Sequence, residues 1–134
     1  MILTNIEMAN KINILSRPVY INRKDIIGYA AARNIRILKN SCVEYLDKQN
    51  ELITRYGSEE LDSNGNPTGR FGINVNPNDE AFKSFKRDIE EFAIIEHTVT
   101  IFKIPYERVC GELTGSEILD IDWMLEDSDK PTDD

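Results

Sequence analysis
The chain has 134 residues, 40% of them hydrophobic and 30% charged, a balance that suits one folded domain and excludes a disordered chain. No apolar run approaches the roughly 18 residues of a membrane span, and a net charge of −8 excludes an overall basic nucleic-acid footprint. The charge is uneven: residues 1–56 hold nine Lys and Arg against five Asp and Glu, residues 57–134 seven against nineteen. Such a dipole steers a charged partner or simply keeps the protein soluble, and both uses stay open at this level.

Thr4 with Glu7 three residues on has the spacing of a capping box, followed by Ile6, Ala9, Ile12 and Leu15 at helical intervals. Pro18 disfavours helix in the residue before it, so this helix should end by Arg17, and Val19-Tyr20-Ile21 reads as an extended connector. The start lacks the basic opening and apolar stretch of a signal peptide, which predicts a cytoplasmic location. Residues 22–56 hold no Pro and one Gly, and predict one long helix. Ile27, Ala31, Ile35, Leu38, Cys42, Tyr45, Gln49, Leu52 and Tyr56 recur at nearly the heptad period. A helix of about 30 residues is about 45 Å long and outruns an intramolecular cover, so a homo-oligomer is expected, a dimer first. Gly57 reads as its left-handed cap.

Residues 58–78 read as an excursion turning at Asn64-Gly65, with Phe71, Ile73 and Val75 alternating as in a half-buried strand. Pro77, Asp79 and Glu80 suit the first turn of a helix whose Phe82, Phe85, Ile89 and Phe92 face the second half of the long one. Thr98 to Ile104 is β-branched and predicts a strand stopped by Pro105. Thr114 to Glu117 opens a last short helix with Ile118, Leu119, Ile121, Trp123, Met124 and Leu125 as its apolar side. The fold class is mainly α (α+β): a long-helix antiparallel hairpin with a small β element and a short C-terminal helix, one domain over 1–125 and an acidic flexible tail over 126–134.

No catalytic set emerges. His97 is the single histidine, which rules out a multi-histidine metal site. Cys42 lies on the apolar stripe, where burial makes a thiol inert, and Cys110 beside Gly111 is the thiol that His97 would serve in an outside Cys–His pairing. The default for both cysteines is a reduced thiol, with a disulfide left open. Glu117, Asp120, Asp122 and Glu126 form the densest carboxylate group in a structured segment, without the spacing of a calcium loop. Asp62-Ser63-Asn64-Gly65-Asn66 resembles the opening of such a loop but lacks its closing Glu, so a plain turn is expected. Neither cofactor nor metal is implied. Arg33, Arg36 and Lys39, one turn apart in succession, form an anion-binding candidate that holds a phosphate-bearing ligand or pairs with the protein's own acidic half.

Several segments together carry a resemblance: Leu3 to Asn10, Tyr29 to Ile35, Glu51 to Gly57, the turn Ser63 to Asn66, and Leu113-Thr114 with Leu119 to Leu125. Over most of its length the chain resembles a group of small uncharacterised bacteriophage and prophage proteins of Gram-positive bacteria (DUF1617-like). The resemblance implies a phage origin, a place in the host cytoplasm and no established activity. The expectation is a non-enzymatic accessory protein that binds a host or phage protein, without direct nucleic-acid or membrane contact. In one version Asp120, Asp122, Glu126, Asp127 and Asp129 imitate nucleic-acid phosphates and inhibit a host defence factor. The alternatives are a nucleotide-binding sponge acting through Arg33, Arg36 and Lys39, and a structural or assembly protein of the phage particle.

Overall fold
A capping box sets the start of the fold. The hydroxyl of Thr4 accepts from the Glu7 amide at 3.2 Å, and the Glu7 carboxylate accepts from the Thr4 amide at 3.0 Å, satisfying two donors that a helix end leaves open. Strand β1 (Ile2–Thr4) precedes it and helix α1 (Asn5–Leu15) follows. The computed structural model describes residues 1–73 and 78–126. α1 buries Asn5, Met8, Ile12 and Leu15; Ile6, expected on that stripe, faces out.

The connector expected to be extended is a helical turn, α2 (Pro18–Ile21). Pro18 stands at its first position, where a missing N–H costs no bond and the fixed φ suits a helix. The turn carries Tyr20 into the core, where its hydroxyl donates to the Glu117 carbonyl at 2.8 Å.

The single helix expected over 22–56 is two helices. Asp25 caps α3 (Ile26–Ser41), and α4 (Val43–Tyr56) begins after Cys42, whose φ of −117° and ψ of 22° leave the helical range. Hydrogen bonds from Cys42 N–H to Leu38 O and from Leu46 N–H to Cys42 O, both 3.0 Å, make this a bend rather than a stop. It directs α3 onto α1 and α2, and α4 onto the later helix α5 (Glu80–Ala93). Every residue of the heptad-like stripe is buried or half-buried within one chain. The reason given for a dimer, an apolar face outrunning its cover, therefore falls away.

Gly57 is not a left-handed cap: its φ of −89° and ψ of −173° are extended. It is needed for close approach, because a Cβ there would collide with the carbonyl oxygen of Gly72 and lie 2.5 Å from that of Ile53. The excursion is a hairpin of antiparallel strands β2 (Ser58–Leu61) and β3 (Pro67–Gly72). At its tip the Asp62 carboxylate accepts from the Asn64 and Asn66 amides at 2.8 and 2.9 Å, a plain turn. Phe71, expected half-buried, is 41% exposed; Val75 and Pro77 lie outside the described residues.

Asp79 caps α5 by accepting from the Ala81 and Phe82 amides. Tyr56 meets Asp88 and Lys48 meets Phe92, so the pairing runs antiparallel as expected. Of the strand expected over 98–104 only the ends are strand. β4 (Glu96–Thr98) pairs antiparallel with β1, and β5 (Ile104–Pro105) pairs parallel with β6 (Leu125–Glu126). Between them Phe102 bonds to a side chain instead: its N–H donates to Asn34 Oδ1 at 2.7 Å and its carbonyl accepts from Asn34 Nδ2 at 2.9 Å. A second capping box, Thr114 with Glu117, opens α6 (Gly115–Asp120), and a 3-10 turn over Asp122–Met124 follows. Ile121, Met124 and Leu125 are buried, whereas Leu119, expected with them, is 76% exposed. Glu126, assigned to the tail, belongs to β6; residues 127–134 lie outside the described residues.

One buried cluster joins Leu15, Tyr20, Ile27, Ala31, Ile104 and Met124; another joins Met8, Leu38, Cys42, Tyr45, Leu52 and Ile89. Ile35, Ile101 and Trp123 pack against both and make the core continuous. The architecture is mainly α with two-stranded sheets. Among the described residues no helix is long and apolar enough to cross a membrane.

Candidate binding surfaces
The basic residues of the first half divide into used and unused. Arg17 meets Asp120 at 3.1 Å, and Arg23 meets Asp25 and Glu112, both at 2.6 Å. Hydrogen bonds to those two carboxylates raise the Arg23 guanidinium further above its ordinary value. Arg33 donates to the Tyr29 hydroxyl at 3.2 Å and lies over the Phe102 ring at 5.5 Å, which itself stands edge-on to Tyr29. Arg36 and Lys39 differ. They are exposed, and among the described residues neither makes an ion pair. Pairing with the acidic half therefore describes Arg17 and Arg23, not these two. With Ile21, Ala32 and Ile35 they line an open groove of about 380 Å³ along α2 and α3. The anion candidate Arg33, Arg36 and Lys39 thus reduces to its last two members, set beside an apolar floor of Ile21, Ala32 and Ile35.

The carboxylate candidate is less concentrated than its spacing implied. Asp120 is held by Arg17, Glu117 serves the Thr114 capping box, and Asp122 is half-buried at the start of its turn. Glu126 is exposed on β6, and Asp127 and Asp129 lie outside the described residues. Among the described residues no three His, Cys, Asp or Glu side chains gather into a metal-holding group.

A cavity of about 310 Å³ sits where the start of α1, the bend at Cys42, the end of α5 and β4 meet. Its lining includes Asn5, Cys42, Tyr45, Lys48, Phe92 and His97. His97, opposite Leu3 in the β1–β4 ribbon, lines this cavity together with Cys42, and Cys110 is not part of its lining. Cys110 is exposed and donates its thiol to the Tyr106 carbonyl at 3.6 Å. Burial pushes the Cys42 thiol pKa up, which keeps it protonated and a poor nucleophile; both cysteines are free. The cavity is assembled from segments far apart in the chain, so little in the local sequence points to it. Its one local signal was Asn5, a polar residue one turn before Met8 on the buried side of a capped helix.

Compared with known protein families, with curated proteins and with solved structures, the chain matches none of them.

Proposed function
We propose that the protein is a non-enzymatic binding protein of the phage accessory type that its resemblance implies. It engages an acidic face of a host or phage protein through the α3 groove. One observation carries this reading: Arg36 and Lys39, one turn apart, flank an apolar floor without a counter-charge among the described residues. Cations held beside apolar surface suit an interface that desolvates a carboxylate, where the pair fixes orientation and speeds encounter. The open shape favours a protein surface, since small-molecule sites enclose most of their ligand.

The acidic-mimic version, with Asp120, Asp122, Glu126, Asp127 and Asp129 in a basic groove of a defence factor, has less support because Arg17 already neutralises Asp120. A nucleotide phosphate on Arg36 and Lys39 is the second reading, favoured by the same two cations. Affinity capture from a native-host lysate tests the proposal. Reversing both charges, Arg36→Glu with Lys39→Glu, should weaken capture about tenfold, and added salt should weaken it in the unmodified chain. Undiminished capture by the reversed variant contradicts the reading. A thermal shift with nucleotides, without a captured protein, selects the second one.

A further inference from the structure
The first turns of α4 set opposite charges beside one cavity without joining them. The cavity at the Cys42 bend shares no lining residue with the α3 groove, and Glu44, Lys48 and His97 all belong to its lining. Glu44 and Lys48 stand one turn apart on α4, acid before base, the order in which such a pair is most favourable. That pair is not made. The Lys48 nitrogen lies 3.5 Å from Glu51 and 5.4 Å from the centre of the Phe92 ring, and among the described residues Glu44 makes no ion pair. The Lys48 contact with Glu51 is a long surface pair, weak in water. Glu51 also keeps Arg55 at 3.2 Å, so Lys48 can turn to another anion without stranding a carboxylate.

The same cavity is lined by Tyr45, Phe92 and Ile95, so apolar surface and both signs of charge meet in one space. Its volume of about 310 Å³ stands at the lower end of ligand sites, which run from roughly 300 to 1,000 Å³. A ligand with a single charge would meet its own sign there, a carboxylate beside Glu44 or an amine beside Lys48. We propose that the cavity binds a small zwitterion of amino-acid size, with its ammonium toward Glu44, its carboxylate toward Lys48 and His97, and its apolar side chain against Tyr45, Phe92 and Ile95. The Lys48 ammonium donates to the carboxylate, and so does the His97 imidazole, which carries an N–H in either protonation state. Charge-assisted bonds of this kind are stronger than neutral ones and fix the orientation of the ligand.

Three probes share one apolar body: L-phenylalanine carries both charges, phenethylamine only the ammonium, and 3-phenylpropionate only the carboxylate. Each is titrated into the full chain near neutral pH and followed by two-dimensional NMR at Tyr45, Phe92 and Ile95. Phenylalanine should saturate these signals, with either single-charge probe about tenfold weaker. Glu44→Gln, a change of nearly equal size at an exposed position, should remove the preference for phenylalanine over 3-phenylpropionate. Lys48→Gln should shrink its preference over phenethylamine. Folding of both variants is checked in the same spectra. Equal binding of the three probes, or tighter binding of a single-charge probe, overturns the zwitterion. A preference over 3-phenylpropionate that survives in folded Glu44→Gln overturns the role of Glu44, and no response to any probe overturns the site.

Discussion
Asn34 is fully buried on α3 and meets three groups distant in sequence: the N–H of Phe102, its carbonyl, and Met124 Sδ at 3.5 Å. Removing the amide leaves two backbone groups without partners and opens space in the core. Asn34→Ala should therefore cost about 2–3 kcal/mol in urea denaturation. A loss below about 0.5 kcal/mol, within the range of surface changes, would show that Phe102 is held by something else. Tyr20→Phe removes one bond, to the Glu117 carbonyl, and should cost about 1 kcal/mol by the same measurement. Tyr56 and Asp88 give a pH-dependent case. The Tyr56 hydroxyl and then Arg87 hold the Asp88 carboxyl below the usual carboxylate range. A carboxylate lowered by folding adds stability that is complete above its unfolded pKa of about 4 and is lost as pH falls through the folded value. The melting temperature gap between wild type and Tyr56→Phe should thus be open near pH 7 and shrink toward about pH 2. A gap constant over that range contradicts the pairing.

At the scale of elements, signals contained within one turn were legible and those reaching across the chain were not. Thr4 with Glu7, Thr114 with Glu117, and the turn at Asn64-Gly65 each place their partners within four residues, and each forms as read. Pro18 was ambiguous because proline both ends a helix and begins one. The bend at Cys42 carries neither Pro nor Gly; it follows from the separate partners of α3 and α4. The strand expected over 98–104 was replaced in its middle by Asn34, 68 residues away from Phe102, a competitor that no local pattern reveals. Gly28 carries the sharpest prediction at this scale. Gly to Ala inside a helix ordinarily gains about 1 kcal/mol. Here the added Cβ would collide with the Arg23 carbonyl oxygen, so Gly28→Ala should instead lose about 2 kcal/mol in denaturation. A gain would mean that the Arg23 loop yields freely.

For the whole molecule the uneven charge was legible, but the sharing-out of its cations was not. Arg17 reaches Asp120 across 103 residues and Arg23 reaches Glu112 across 89, so part of the basic first half is consumed by the acidic second half. Exposed pairs of this kind are worth about 0–1 kcal/mol and leave the stability to the continuous core. Arg36 and Lys39 remain as an outward-facing pair beside apolar surface, and the account of function rests on them. The most direct test places a photo-cross-linking side chain at Ala32, exposed in the groove, and a control at Glu91, exposed on α5. Each is irradiated in native-host lysate, with and without the double charge reversal. The account predicts a discrete protein adduct from position 32 that disappears with Arg36→Glu and Lys39→Glu and is absent from position 91. An adduct at position 32 that survives the reversal, or one that forms equally from position 91, would contradict it.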